Sequence, residues 1–392
     1  MPEGISVVVP TVGRPSLADL LDRLRPQLDN APVPVELILV DDAERRGPAA
    51  TRNRGWRTAR HPWVAFLDDD VLPAPNWLDR LVADLDQPPD VGGVQGRVTV
   101  PRPAGPADGD WAANTAGLEE AVWATADMAY RRAALASVGG FDERFPRAYR
   151  EDADLAYRIR YRGWRLVVGQ RRVSHPVRPE SPWISLRTQR GNADDALLRR
   201  LYGAHWHRML AAPVGRRRRH AGIVAAGLAA LALAAVPVRQ ARRAGLVAGL
   251  GWLAGTTEFV VARLRAATEA RRQLGPLLVT SVLIPPVAVG HWLDGWVRSR
   301  HARPWFGPPS EGVPADRDPE TAPWAAQPTV RSTSAASSAD TVADQPLSSL
   351  ESGRPARSSA WSTLSTVSTP WATGVDSSSA TRVSPSVTDR QT

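Results

Sequence analysis

Asp68, Asp69 and Asp70 stand together in the stretch Val64–Pro73, VAFLDDDVLP, directly after four apolar residues that read as a short buried strand. Three adjacent carboxylates repel one another, so the cluster needs water or a cation to neutralise it. At the carboxyl end of a strand in an α/β sheet, where ligands usually bind, a divalent cation is the sharper reading and a solvated acidic turn the plainer one. Acidic pairs recur elsewhere: Asp41-Asp42 closes the apolar run Val35–Val40, and Glu151-Asp152-Ala153-Asp154 opens a helical pattern. Acidic residues in a first turn suit the helix dipole, so capping competes with catalysis as the reason for Glu151 and Asp152. His175 precedes Pro176, where a structural loop residue is the plain reading and a metal ligand the sharper one.

These groups need elements to position them. Ile5–Val9 is a β-branched run that Pro10 is expected to stop. Ser16 then reads as a helix cap with Asp19 three residues on, and Leu17, Leu20, Leu21, Leu24 and Leu28 line one helical face. Val35–Val40 is a second strand, Pro48–Ala59 a helix carrying Arg52 and Asn53, and Val64–Leu67 a third strand. A helix around Asn76–Leu85 follows, with Trp77, Leu78, Leu81 and Leu85 on one side. Strands alternating with helices argue for a parallel sheet, whose carboxyl ends would bring the acidic clusters to one crevice. Ala124–Tyr130 and Trp164–Val168 are further strands, and Gly163 is a left-handed cap after the helix that Glu151 opens. Segment 181–210 reads as helical, with Asp194 and Asp195 as helix-surface charges.

The chain has 392 residues, room for two or so domains. It holds no cysteine, which excludes disulfides and cysteine-ligated zinc. The formal charge is +9, and every basic residue besides histidine is arginine. The densest run, Arg216 to Arg219, directly precedes apolar sequence, which favours a membrane surface over nucleic acid. Three apolar stretches follow: Ala221–Val238, Ala244–Ala262 and Leu274–Val297. Each is borderline for a span of about 20 residues, and arginines flank all of them on both sides. Membrane association is favoured over a soluble helical bundle. Met1–Gly4 leads straight into Ile5–Val9 with no secretory signal, so the N-terminal part is expected to face the cytoplasm. From about Arg303 the chain is rich in Ser, Thr, Pro and Ala without periodicity, and it is expected to be disordered.

The series VVVPT, ILVDDA, AATRNRG, FLDDD, TADMAYRRAALASVGGFDE, REDADLAYRIRYRGW and VSHP resembles, in order and spacing, a family 2 glycosyltransferase over roughly residues 5–176. The resemblance implies an α/β GT-A nucleotide-diphospho-sugar transferase fold, a mostly parallel sheet flanked by helices, over residues 1–210. Apolar, membrane-associated helices over 216–300 and a disordered tail over 303–392 complete the expected organisation. It further implies inverting transfer of a sugar from a nucleotide-sugar donor to an acceptor hydroxyl with Mg2+ or Mn2+, in cell-envelope glycan or glycolipid synthesis.

Residue by residue, Asp42 matches the acidic contact to the nucleotide base, and Pro10 and Thr11 the neighbouring wall. Arg52 matches a basic residue near the donor diphosphate. Asp68, Asp69 and Asp70 match the DXD-type motif, with Asp70 the direct metal contact, Asp68 supporting it and Asp69 on the nucleotide side. Asp152 matches the general base, and His175, 23 residues beyond it, a further metal ligand of some relatives. A hard cation takes oxygen ligands and stabilises a departing diphosphate, and a carboxylate base contributes about 10²–10⁴-fold. Many relatives carry an aromatic-Asn pair where this chain has Val12-Gly13-Arg14. No Gln-x-x-Arg-Trp sequence occurs, which favours single addition over processive synthesis. The expected partners are a nucleotide-sugar, a glycan or lipid-linked acceptor and the cell membrane, with the catalytic domain cytoplasmic and no nucleic acid bound. The alternatives are a polyprenyl-phosphate sugar synthase and a catalytically silent nucleotide-sugar-binding scaffold.

Overall fold

The computed structural model describes residues 1–101, 109–266 and 274–304. The tail expected to be disordered lies almost wholly outside the described residues. Seven strands form one sheet: β1 (Ile5–Thr11), β2 (Val35–Asp41), β3 (Trp63–Leu67), β4 (Leu72–Pro73), β5 (Val91–Thr99), β6 (Asp127–Arg131) and β7 (Arg165–Ser174), in the order β2-β1-β3-β6-β5-β7-β4. The class is α/β as expected, but the sheet is mixed. β1 pairs parallel with β2 and β3, and β5 with β7, whereas β6 runs antiparallel to β3 and β5, and β4 to β7.

Alternation along the central strands builds a core on each face. Ile5, Val7 and Val9 of β1, with Trp63, Ala65 and Leu67 of β3, pack on α1 (Ser16–Asp29) and α3 (Trp77–Asp84). Val8, Val64 and Phe66 face the other way, toward α5 (Arg132–Val138) and α6 (Glu151–Tyr161), with Ala49 of α2 (Pro48–Thr58) in the same cluster. Ser16 does not cap α1: Pro15 occupies the cap position, with no side-chain hydrogen bond. β1 continues through Pro10 to Thr11, because its pairing with β3 ends at Val8 and Pro10 has a strand on one side only.

β5 has a glycine-rich sequence, VGGVQGRVT, that does not read as a strand. Its glycines are demanded by close approach. A Cβ at Gly93 would lie 2.7 Å from the Tyr130 ring, and one at Gly96 2.0 Å from Asp127 Oδ2.

A third core cluster joins Tyr157 of α6 to Leu198, Leu201 and Tyr202 of α8 (Asn192–Tyr202) and Trp206 of α9 (Trp206–Met209). Two short helices, α4 (Gly109–Ala116) and α7 (Ile184–Arg187), lie in the connecting segments. Three long helices complete the described part: α10 (Arg217–Ala234), α11 (Arg239–Ala266) and α12 (Leu274–Arg298). α12 packs on α8 so closely that a Cβ at Gly295 would lie 2.4 Å from the Ala193 carbonyl oxygen.

Candidate active site

The triplet at the end of β3 meets the first turn of α6, whereas the Asp41-Asp42 pair at the end of β2 does not join it. Asp68, Asp69 and Asp70 follow β3 and are all buried, so the solvated-turn reading fails for them. Each has its own partners. Asp69 accepts hydrogen bonds from Thr11 Oγ1 at 2.7 Å and from Arg14 Nη1 at 2.8 Å. Burial holds its carboxyl above the ordinary range, against the pull of Arg14. Asp70 is ringed by His175 Nε2 at 3.4 Å, Arg14 Nη1 at 3.5 Å and Arg178 Nε at 3.6 Å.

Asp68 faces the opposite way. Its Oδ1 accepts from Arg52 Nη2 at 2.7 Å, and Arg52 Nη1 reaches Glu151 Oε1 at 2.8 Å. Arg52 is wholly buried, with its guanidinium 5.5 Å from the centre of the Phe141 ring. Burial works against its charge, but Asp68 and Glu151 raise its pKa above the ordinary value. Arg52 is thus a strut tying the triplet to the first turn of α6, which carries Asp152.

That turn separates two carboxylates by environment. Glu151 is 1% exposed and engaged by Arg52; burial and the neighbouring Asp152 charge push its pKa up. Asp152 is half-buried and accepts a short bond from the Ala153 amide at 2.7 Å. Burial raises its carboxyl too, opposed by the Ala153 amide and by the charges of Arg52 and Arg150. Arg150 enters α6 in the left-handed region, φ +73°, a conformation an arginine adopts only under tertiary constraint. Stacking of its guanidinium over Tyr149, 4.7 Å from the ring centre, and its approach to Asp195 at 3.6 Å supply that constraint.

Asp42 stands apart from these groups. Its carboxylate accepts from the Arg46 and Gly47 amides, both at 2.9 Å, closing the turn into α2, while its own amide donates to Thr11 O at 2.9 Å. Thr11 and buried Pro10 line the same end of β1. Asp194 and Asp195 are not helix-surface charges. Asp194 is buried in a bidentate pair with Arg147 at 2.6 and 2.8 Å, and burial lifts its pKa to about 7. Their side of α8 is covered by α6 and the loop before it, which a helical pattern cannot reveal.

Arg178 and Arg150 went unnoticed in the sequence, and Arg14 figured there only as part of a departure from the family pattern. Arg178 carried the one available signal, lying three residues past His175. A buried cluster beneath the site was equally silent: Asp127 accepts from Arg171 Nε at 2.7 Å and Trp77 Nε1 at 3.0 Å.

His175 is 1% exposed, with its Nδ1 3.3 Å from Pro176 O and its Nε2 3.4 Å from Asp70 Oδ1. That Nε2 has no hydrogen-bond partner among the described residues and faces Asp70. Among the described residues no cluster of three or more acidic or histidine side chains could hold a metal ion. Two protein ligands nevertheless suit Mg2+ or Mn2+, which commonly take one or two side chains and draw the rest from water and substrate phosphates.

Such a crevice, strand-end carboxylates on one side and the acidic first turn of α6 on the other, is what the GT-A nucleotide-sugar transferase fold implied by the motif series would present. Residues 43–127 match the model of glycosyl transferase family 2, taking in Arg52 and the triplet and ending before Asp152. That match covers under a quarter of the chain. The chain is 30% identical over 142 residues to the pre-mycofactocin glycosyltransferase of Mycobacterium tuberculosis, covering 31% of this chain and 28% of the relative. The chain thus matches under a third of that relative's length. Among solved structures it is similar to the mannosyltransferase PcManGT of Pyrobaculum calidifontis with GDP-Man and Mn2+ (20% identity, 75% of this chain and 87% of that one, TM-score 0.41). It is also similar to S. aureus TarS with UDP-GlcNAc (16%, 77% and 93%, TM-score 0.35). Likenesses this distant add nothing to the geometry above.

Proposed function

We propose that the protein transfers a sugar from a nucleotide-sugar to an acceptor hydroxyl with inversion, using Asp152 as general base and a divalent cation at Asp70 and His175. The observation that carries this reading is the Asp68–Arg52–Glu151 bridge, which joins the strand-end carboxylates to the turn bearing the half-buried Asp152. A bound Mg2+ or Mn2+ would neutralise negative charge on the diphosphate as it leaves. Arg14 and Arg178 add fixed positive charge beside Asp70. Thr11 orients the Asp69 carboxylate at the donor end of the crevice, next to Asp42. Glu151 is committed to Arg52, which leaves Asp152 as the carboxylate free to take the acceptor's proton. As the acceptor oxygen bonds to the anomeric carbon, the carbon–phosphate-oxygen bond breaks and the nucleoside diphosphate departs.

We assign the apolar helices to a membrane, with residues 1–210 at its cytoplasmic face. Two of the three expected stretches qualify as spans by length and composition, Arg239–Arg265 and Leu274–Arg298. Ala221–Val238 does not, since α10 ends at Ala234 and its 18 residues open with Arg217, Arg218 and Arg219. The packing supports the assignment. α10 and α11 meet through small residues, with a Cβ at Gly245 coming within 3.3 Å of Ala230 O and Ala234 N, while Leu228, Leu231, Leu246 and Leu250 point outward, 63–73% exposed. A soluble bundle would bury those leucines and expose the glycines; a membrane hairpin reverses the arrangement.

Asp152→Asn tests the catalytic reading. Asparagine is also a good helix cap, so a capping role leaves turnover nearly unchanged. As the base, Asp152 is expected to lose at least about 100-fold in acceptor-dependent transfer while donor affinity and Tm hold. Transfer within a few-fold of wild type would reject it.

A further inference from the structure

A cavity of about 720 Å³ lies between α8, α9 and the near ends of α10–α12. Among the described residues seven arginines line it, from Arg199 of α8 and Arg208 of α9 to the run 216–219, against the single carboxylate of Asp195. That carboxylate is already approached by Arg150 at 3.6 Å. Arg216 is 8% exposed, and its Nη2 pairs with Glu258. Its Nε and Nη1 have no hydrogen-bond partner among the described residues. Guanidinium nitrogens in a buried wall call for an oxyanion, and a carboxylate matches the planar arginine fork. The positive charges are spread over α8, α9, α10 and α11, so one small anion would meet only a few of them. Several carboxylates carried on one chain would meet more.

The protein's own sequence supplies such a chain just past the described residues. Residues 311–320, EGVPADRDPE, hold four carboxylates, Glu311, Asp316, Asp318 and Glu320, against one arginine, Arg317. From Thr321 to Thr392 no ten-residue stretch holds more than two carboxylates. The described chain also ends beside the cavity. Ala302 packs on the core cluster that contains Trp206 and Leu210, and Trp206 is part of the cavity wall. Glu311 lies seven residues beyond Pro304, a reach of up to about 25 Å. So short a tether gives an effective concentration on the order of millimolar at the arginines, where individually weak ion pairs suffice together.

We propose that this cavity is the docking site of the chain's own acidic segment, residues 311–320, with Asp316 and Asp318 meeting Arg216 and the arginines that follow it. Docking brings negative charge to the wall that holds Asp195 and, beside it, Arg150, the residue before Glu151 and Asp152. The inference stands apart from the transferase reading, since neither donor nor acceptor enters it.

The chain has no cysteine, so an introduced pair reports alone in disulfide trapping. Val214→Cys, at an exposed position of the cavity wall, is combined with Ala315→Cys in the full-length protein in neutral detergent. Under mild oxidation the pair is expected to close within one molecule, read on a non-reducing gel. The same pair with Glu311→Gln, Asp316→Asn, Asp318→Asn and Glu320→Gln keeps the tether and removes the charge. Closure should then slow by at least about tenfold. These substitutions leave every residue of the wall in place, so they separate loss of docking from loss of the cavity. Arg216→Gln with Arg218→Gln should slow closure as much. Arg242→Gln should not, being exposed near the start of α11, where Gly245 packs on Ala234 at the end of α10.

Closure as fast in the neutralised segment, or in the Arg216 and Arg218 variant, as in the unaltered chain would reduce trapping to chance collision on a tether and overturn the proposal. A disulfide formed only between two molecules, seen as a dimeric band, would make the occupant a second copy's segment and also overturn it. Equal slowing in Arg242→Gln would leave diffuse basic attraction, with the same consequence. Nucleotide-sugar affinity of the neutralised variant reports separately on the transferase reading.

Discussion

Replacing Arg52 by methionine removes the cation that pairs with both Asp68 and Glu151 while keeping most of the side-chain volume. Both carboxylates then remain at 1% exposure with no counter-charge on that side. Breaking a buried pair by deleting one partner costs about 3–5 kcal/mol, because the stranded charge cannot be resolvated. The cost should depend on pH. Glu151 already has a raised pKa from burial and the Asp152 charge, and Arg52 is what opposes that rise. Without Arg52 its folded pKa climbs further above its unfolded value of about 4.3. A group with a raised folded pKa contributes stability that is full below the unfolded pKa and is lost as pH rises through the folded one. Wild type and variant lose stability in step while Glu151 stays protonated in both, so the destabilisation by Arg52→Met should grow only above the wild-type Glu151 pKa, pushed up to about 8, by up to about 1.4 kcal/mol per pH unit for that carboxylate. Adding Glu151→Gln to Arg52→Met should recover more of the loss at about pH 9.5, about 1–3 kcal/mol, than at about pH 7. Urea unfolding of the full-length protein in mild detergent, followed by tryptophan fluorescence at both pH values, measures all of these. A loss below about 1 kcal/mol that is independent of pH would refute the strut.

Asp70→Ala should abolish the effect of Mn2+ on nucleotide-sugar affinity and leave Tm within a few degrees; calorimetry with and without chelator reads it, and equal wild-type affinity in both rejects the cation. The acid limb of the rate–pH profile should lie above the ordinary aspartate range, since burial raises Asp152, with activity lost as pH falls through that pKa. Arg150→Gln should move this limb to higher pH, because the Arg150 charge favours the ionised base; an unmoved limb separates Arg150 from Asp152. Gly96→Ala should destabilise by about 1–3 kcal/mol or more in thermal or urea unfolding, its methyl driving into the Asp127 carboxylate that holds Arg171 and Trp77.

The sequence by itself determined the strands with local signals. β1 and β3 are short β-branched or aromatic runs ended by charge or turn, and Leu20, Leu24, Trp77, Leu78 and Leu81 fall on the helix faces their spacing implies. It determined the order of the motifs, and so the resemblance to the family, because that order is a property of the chain itself. It also brought Asp70 and His175 under suspicion together, and they meet at 3.4 Å although they lie over a hundred residues apart.

Tertiary structure alone decided the rest. β5 escaped because its glycines are selected by what crosses over them, Tyr130 and the Asp127 carboxylate, rather than by strand propensity. The antiparallel placement of β6 depends on chain crossings that no local pattern encodes. Arg52 has the same formula whether it faces a diphosphate or two carboxylates, and only the fold brings Asp68 and Glu151 to its two ends. Asp194 and Asp195 look like surface charges on a helical wheel, since the wheel does not show α6 and its preceding loop covering them. The apolar helices carry enough leucine for either a core or a membrane. Which way the leucines point depends on Gly245 and its small neighbours meeting in space, and that contact turns them outward.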